Sequence, residues 1–410
     1  MERTLVCDLR KQVGNQVLVT GWVQAVRNQK KMQFVVLRDH TGSVQVLHAR
    51  VEGDDPIGTI LQTVSVESVV RLTGMVIENA QVKLGGIEIE ISEVEVVSAA
   101  EVPLPITEET QSDIKLDWRF LDLRTPANRL IFETQTVLEQ GMREFWAQNN
   151  FLEVHSPKLM AGASESGAEL FRLDYFGGNA YLAQSPQFYK QMAMAAGFDR
   201  IFEIGPVFRA DPSFTSRHNT EFTSVDVEVS WVDSHEDVMV WEERLLQFAI
   251  GVVADKFGDR IKETFGLDVV VPTVPFPRIP MAEVYEILRC EMGYEVTHAQ
   301  KGDLDPEGER KIGEYVKKEF GHEFVFVTDY PVSARPFYHM RHEGDPTLTM
   351  SFDLLWKGLE VTSGAQREHR HDQLRAQAIE KGLTPESIQY YLDFFRFGCP
   401  PHGGFGFGLA

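Results

Sequence analysis

Arg209, Arg217 and His218 are followed closely by an aromatic residue, Phe222, and by two carboxylates, Asp226 and Glu228. Fixed cations, a ring and acids gathered on one surface suit a nucleoside triphosphate. The cations neutralise phosphate oxygens and the ring stacks on the base. A second group, Asp353 and Glu360, is purely acidic. Carboxylates that face each other across a ladder repel, a divalent cation between them removes that cost, and oxygen donors beside phosphates suit Mg2+. Spacing alone leaves a plainer reading open at each place: a hairpin with a solvated polar face, and a register in which the two acids do not meet.

These side chains need strands to hold them. In Arg200–Trp231, Val225, Val227, Val229 and Trp231 alternate with Asp226, Glu228 and Ser230. That period of two puts the valines on an apolar face and Phe222 on the polar one. The loop before this strand carries the cations. In Ser351–Arg367 two strands turn near Trp356–Gly358, and a turn centred on Trp356-Lys357 sets Asp353 opposite Glu360. Arg129–Asn150 has helical spacing of Leu130, Val137, Leu138, Met142, Phe145 and Trp146, and Phe151–Pro157 reads as a strand closing on proline. Met281–Glu291 and Glu307–Phe320 are also helical in pattern. His369 and His371, two apart at the start of a further helix, share no helix face and read as structural or solvated.

The first part of the chain has another character. Five strand-like runs, Gln16–Val23, Gln33–Arg38, Ser43–His48, Val69–Ile77 and Ile87–Ser98, are separated by Gly, Asn and Asp. They suit a small barrel such as an OB-fold. Net charge is −21 over 410 residues, which argues against indiscriminate nucleic-acid binding. Yet Arg10, Lys11, Arg27, Lys30, Lys31 and Arg38 occupy a window with no acidic residue, able to meet phosphates. Phe34 inside that window could stack an unpaired base and Gln45 could read a base edge, or Phe34 could simply be core. Glu101–Thr107, with two prolines, reads as a linker. Three cysteines distant in sequence, Cys7, Cys290 and Cys399, read as reduced thiols of a cytoplasmic protein. No apolar run approaches the roughly 18 residues of a membrane span.

The run FRADPSFTSRHNTEF resembles motif 2 of the class II aminoacyl-tRNA synthetases, in the form found in aspartyl and asparaginyl members. Arg129–Pro157 resembles motif 1, which forms their dimer interface, and HGGFGFGLA at 402–410 resembles the start of motif 3. GWVQAVRN and QFVVLRDHTGSVQVL resemble the aspartyl-type anticodon-binding domain. The resemblance covers nearly the whole chain and implies an α+β protein: an OB-fold barrel at 1–103, a linker at 104–111 and a class II catalytic domain at 112–410. It implies that Arg27, Phe34 and Gln45 meet the anticodon. Glu165, in AGASESGAELF, would hold the α-ammonium group of aspartate. In QSPQFYKQ, Gln187 would contact that substrate and Lys190 would face its side-chain carboxylate, with Arg367 as the second cation and Ser363 nearby. Asparaginyl relatives lack a lysine at Lys190. Arg209 would bridge the substrate carboxylate and the α-phosphate, and Arg217 and His218 would hold the outer phosphates. Phe222 would stack on adenine, with Asp211, Asn219 and Gly408 also about ATP. Asp353, Glu360 and Ser363 would hold Mg2+. Asp211 departs from the family's usual Glu, a shorter arm with the same charge.

The implied reaction is activation of L-aspartate by ATP and transfer to tRNA(Asp), in a homodimer of the compact archaeal and eukaryotic type. Members of that type differ in whether they also charge tRNA(Asn), and Gln24, beside the anticodon face, bears on that choice. Three alternatives stand beside this reading: an asparaginyl-tRNA synthetase, an ammonia-dependent asparagine synthetase, and a non-catalytic RNA-binding paralogue. Lys190 opposes the first, and the RNA-type barrel opposes the second. The family also has an ATP-contacting arginine in the helix after the glycine-rich strand. The sequence stops at Ala410 before it, so the expectation is a truncated sequence whose activity as it stands is open. Lys190 and Arg367, desolvated in a closed pocket, are expected to need a counter-charge from the substrate.

Overall fold

Alternating Val, Ile and Leu in the first hundred residues build a closed barrel, because each strand can bury only every second side chain. In the computed structural model, which describes residues 1–162, 170–210, 219–297 and 302–409, the strands are β1 (Gln16–Asn28), β2 (Met32–Arg38), β3 (Ser43–Ala49), β4 (Val69–Glu78) and β5 (Ile87–Ser98). They close in the order β1-β2-β3-β5-β4, with β3 and β5 parallel, as an OB-fold does. Val17, Val19, Val35, Leu37, Val46, Leu72 and Ile89 fill the interior. Helix α1 (Pro56–Thr63) joins β3 to β4; Asp55 caps it and Leu61 reaches the same core. Two short helices, α2 (Ser112–Asp117) and α3 (Arg119–Asp122), follow. Chain contacts divide the molecule into two compact units, Met1–Leu123 and Arg124–Ala410.

The second unit begins with α4 (Pro126–Gln148), which Thr125 caps and Pro126 opens, so the helix starts ahead of the expected Arg129. After it come β6 (Leu152–Glu153), β7 (Leu159–Met160), β8 (Arg172–Tyr175), β9 (Gly178–Leu182), α5 (Gln187–Ala195), β10 (Arg200–Phe208), β11 (Glu221–Ser230) and α6 (His235–Phe265). The remaining elements are β12 (Arg278–Pro280), α7 (Met281–Cys290), α8 (Pro306–Phe320), β13 (Phe324–Thr328), β14 (Ser351–Trp356), β15 (Leu359–Arg367), α9 (His371–Glu380), α10 (Gln389–Leu392) and β16 (His402–Gly408). Eight strands form one sheet in the order β12-β13-β14-β15-β16-β11-β10-β6, antiparallel except for its two end pairs. The stretch expected as a strand at Phe151–Pro157 pairs only over Leu152–Glu153.

The odd-numbered face of β11 behaves as the sequence pattern predicts. Val225, Val227 and Val229 are buried with Phe145, Trp146, Val238 and Phe405, between the sheet and the packed helices α4 and α6. Trp231 does not continue that face. It lies past the strand end at a φ of 62° and is 71% exposed. The even face is polar as expected but not solvated: Asp226 and Glu228 are buried at 5% and 0% exposure. Over β12–β14 that side of the sheet is covered by α7 and α8 through Val284, Leu288, Ile312 and Val316. Over β10 and β11 it meets α5.

Candidate active site

Buried carboxylates must be paired or they cost several kcal/mol each, so the partners of Asp226 and Glu228 define the site. Lys190, on α5, places Nζ 3.1 Å from Asp226 Oδ1 and 3.3 Å from Glu228 Oε2. It also donates to the carbonyl of Phe405 at 3.2 Å. Arg367, at the end of β15, donates from Nε to Glu228 Oε1 at 3.1 Å and from Nη2 to Gly404 O at 2.9 Å. Its Nη1 meets His339 Nε2 at 3.2 Å. Asp226 Oδ2 accepts from Ser224 Oγ at 2.6 Å. Burial acts to raise Glu228, but Arg367 and then Lys190 outweigh it and hold its carboxyl below the usual range. The expectation that Lys190 and Arg367 lack a counter-charge is therefore corrected. The protein supplies it, two acids to two cations, from β11, from β15 on the far side of β16, and from the helix α5.

Strand β16 makes this crowding possible. A side chain on Gly404 would meet Val227 O at 2.1 Å and Glu228 Oε2 at 2.2 Å, and one on Gly406 would meet Asp226 Oδ1 at 2.8 Å. Only glycine lets the acids of β11 lie across the neighbouring strand. Alternate residues Phe405 and Phe407 turn to the helix side. Gln187, 5% exposed, donates to Gln191, which also meets His402 and Tyr391.

The acidic group at the other side differs from its expected register. The hairpin turns on Lys357-Gly358, both at positive φ (52° and 76°), as a two-residue reverse turn demands. That turn sets Glu360 opposite Leu355, and a bulge between Leu354 and Leu355 then sets Asp353 opposite Ser363. The two acids still meet through one hydroxyl. Ser363 Oγ lies 2.8 Å from Asp353 Oδ1 and 3.0 Å from Glu360 Oε1. A hydroxyl has one proton and can serve one of them at a time. Burial first and Asp353 second raise Glu360 to about 8, although the residue remains open to solvent, which tempers the shift. Asp303 is raised for the same two reasons. Arg335, half-buried over the Tyr330 ring, donates to Asp353 Oδ2.

The residues expected about ATP stand on β11 and β16 and just before β11. Phe222 stands on the polar face, opposite Val207, with the Arg209 guanidinium 5.5 Å from its ring centre. Arg209 Nε is buried with no partner among the described residues. Gly408 pairs with Ser224 and packs under the Phe222 ring, and Asn219 is exposed. Glu165, Asp211, Arg217 and His218 lie outside the described residues.

In the barrel, Arg27 and Phe34 stand opposite each other on β1 and β2, and Phe34 faces outward, since Gln33 and Val35 take the core side. Gln45 is on the same outer face but donates to Glu88 at 2.7 Å. Of the basic window, Arg38 is engaged by Glu67 and Lys11 by Asp8, while Arg27, Lys30 and Lys31 have no partner among the described residues.

Two family descriptions match this arrangement: tRNA synthetases class II (D, K and N) over residues 111–410, and OB-fold nucleic acid binding domain over residues 17–97. The chain belongs to the class II tRNA synthetases of the D, K and N group. It is 40% identical to Aspartate--tRNA(Asp/Asn) ligase of Aeropyrum pernix over 410 residues, 99% of this chain and 92% of that protein. It is 42% identical to Aspartate--tRNA(Asp) ligase of Pyrococcus abyssi over 399 residues, 96% of this chain and 90% of that one. Among solved structures, asparaginyl-tRNA synthetase from Pyrococcus horikoshii complexed with asparaginyl-adenylate superposes with a TM-score of 0.89, at 31% identity, covering 100% of this chain and 93% of that one. The asparaginyl fold is thus shared, at lower identity than these two aspartate ligases. Within this class II synthetase, the sequence placed Asp226 and Glu228 only on a general nucleotide-suited surface, with no part in holding Lys190 and Arg367, and gave no role to Arg335 or Asp303. The first two were visible as a polar strand face. Arg335 and Asp303 come from loops with no periodicity, and only the fold brings them to Asp353.

Proposed function

We propose that this chain is an aspartate–tRNA ligase: it activates L-aspartate with ATP and passes the aspartyl group to the terminal adenosine of tRNA(Asp). The observation that carries this reading is the buried chain Lys190–Glu228–Arg367 on a glycine-lined strand. A guanidinium has five N–H donors. Glu228, Gly404 and His339 engage four of them here. The fork is fixed in orientation and retains one hydrogen on Nη1 for a substrate carboxylate. Lys190, with three N–H bonds shared among Asp226, Glu228 and main-chain carbonyls, sets the positions of the two acids as much as it attracts the substrate. Asp226 can receive an α-ammonium group, with Gln187 and Glu165 around the same substrate and Ser363 at its edge.

In the first step the aspartate α-carboxylate attacks the α-phosphorus of ATP, a new P–O bond forms, and pyrophosphate leaves with the electron pair. The nucleophile is already ionised, so no general base is needed, and the protein contributes orientation and charge neutralisation. Arg209, whose Nε is without a partner among the described residues, meets carboxylate and α-phosphate. Phe222 stacks on adenine, with Asn219, Asp211 and Gly408 about it, and Arg217 and His218 hold the outer phosphates. In the second step a tRNA hydroxyl attacks the activated carbonyl and AMP leaves.

The oxygen set Asp353, Glu360 and Ser363 fits Mg2+: the carboxylates crowd one hydroxyl, and Glu360 is raised by that crowding. Bound there, the ion would screen phosphate charge. Arg27 and Phe34, with Gln45 beside them, form the anticodon face. The exposed Ile131, Phe132 and Leu152 on and after α4 suit a homodimer contact, and free cysteines suit the cytoplasm. Charging of tRNA(Asn) as well is a second reading, favoured by the Aeropyrum pernix relative named for both tRNAs. ATP–pyrophosphate exchange with aspartate and with asparagine, followed by charging of each tRNA, tests these together. Aspartate-dependent exchange is expected; exchange with asparagine alone, or with neither, overturns the proposal.

A further inference from the structure

Three residues outside the site described above converge on one point of the second unit. His235 opens α6, where a capping box between Ser234 and Asp237 fixes the first turn. Asp329 follows β13 at a φ of 60°, with its N–H bound to Ser351 O. His342 lies in the loop before β14, its N–H bound to Leu348 O. His342 Nε2 is 2.7 Å and His235 Nε2 is 3.7 Å from Asp329 Oδ1. One donor atom from each residue falls within 4.8 Å of the other two. Asp329 Oδ2 is held by Thr328 Oγ1 at 2.7 Å, so the carboxylate is oriented from behind. His235 is buried, and its Nδ1 is without a hydrogen-bond partner among the described residues. A cavity of about 560 Å³ adjoins the group, lined by Asp329, His342, Asp345, Tyr285 and Leu348. Arg278, the nearby cation, is occupied by Glu236 and Glu243.

We propose that His235, Asp329 and His342 bind a divalent ion of the zinc class. Two imidazoles and one carboxylate are the donor set of a three-ligand zinc site with a fourth position open to water. Hard ions such as Mg2+ and Ca2+ prefer all-oxygen sets. Bonds of about 2.0–2.1 Å in tetrahedral geometry put donor atoms about 3.3 Å apart. Reaching that spacing widens the Asp329–His342 contact by about 0.6 Å and narrows the Asp329–His235 contact by about 0.4 Å. The cavity admits the ion and its water. The bound ion ties the start of α6 to the end of β13 and to the 342–348 loop. It shares no residue with the Asp353 group or with the Lys190–Glu228–Arg367 chain, so it stands apart from the proposed ligase reaction.

The test uses the full chain, dialysed against a chelator and titrated with Zn2+ by calorimetry, with Co2+ absorption as a report on coordination. One equivalent is expected, with visible Co2+ bands of a four- or five-coordinate site and a raised melting temperature. Even outer-shell substitutions weaken metal sites 10- to 100-fold, so His342→Asn and Asp329→Asn, each checked for folding by circular dichroism, should lose about 100-fold or more in affinity. A Cys7→Ser/Cys290→Ser variant should retain it. Undiminished binding in His342→Asn, loss of binding with the cysteines, or no zinc bound below millimolar concentration overturns the proposal.

Discussion

The two ends of the candidate site solve the same electrostatic problem in opposite ways. Around Glu228, cations and anions alternate, and its carboxyl is held below its usual range even though burial acts to raise it. Around Asp353, carboxylates converge from separate segments, share one serine hydroxyl, and Glu360 is raised instead. The first end is balanced in charge within the protein and is suited to fixing geometry, hence to choosing among amino acids. The second has acceptors in excess of protons and is suited to receiving a cation with its phosphates. Acid therefore attacks the first end and alkali the second. Glu228, depressed when folded, contributes stability that is present above the unfolded value of 4.5 and lost as pH falls through its lower folded value. Glu360, raised when folded, binds an extra proton in the native state between 4.5 and about 8, so ligand-free stability declines as pH rises through that window.

The contrast can be broken most severely at Arg367. Arg367→Met strands Glu228 as a buried charge beside Lys190 alone, and urea unfolding should show a loss of about 3–5 kcal/mol. A loss under about 1 kcal/mol would mean that the pair is not the closed unit described here. Glu360→Gln should act in the other direction on stability while harming catalysis. Exchange at limiting Mg2+ should fall by roughly 100-fold, whereas ligand-free stability at pH 8 should rise and its decline with pH should flatten. Part of the slope will persist, because the fully buried Glu242 is also raised to about 8, chiefly by burial. An unchanged Mg2+ dependence would remove Glu360 from the cation site. Ser363→Ala should have the smallest effect, about 1 kcal/mol or less in unfolding. It should nevertheless shift the midpoint of Mg2+ activation, since the hydroxyl mediates between the two acids.

Much of this architecture was legible in the residues. The period of two in β11 located both the core valines and the acids, and the alternation of β1–β5 gave the barrel. Motif resemblance placed Lys190, Arg367, Asp353 and Glu360 in one site, and the strands and α5 do bring them to one face of the sheet. Three things were not legible. The turn falls on Lys357-Gly358, one residue past the expected pair, which alone parts Asp353 from Glu360, and the bulge beyond it is one extra residue in a strand that leaves no compositional mark. The polar face of β11 was readable as polar but not as buried, because burial depends on α5 and on the glycines of β16, far away in sequence. The partners of Lys190 and Arg367 followed from neither spacing nor motif: pairing across β11, β15 and β16 is set by sheet order.

The most direct test of the aspartate end is pyrophosphate exchange by Lys190→Ala, assayed with aspartate and asparagine and over a range of ATP. Removing the ammonium leaves Asp226 and Glu228 misplaced and repelling, while Arg209 and Phe222 are untouched. The wild-type chain should prefer aspartate by roughly 10⁴ or more. The variant should lose most of that preference with little change in the KM for ATP. Equal losses toward aspartate and ATP, or a preference that survives intact, would contradict the assignment of Lys190, Glu228 and Arg367 as the part of the molecule that recognises aspartate.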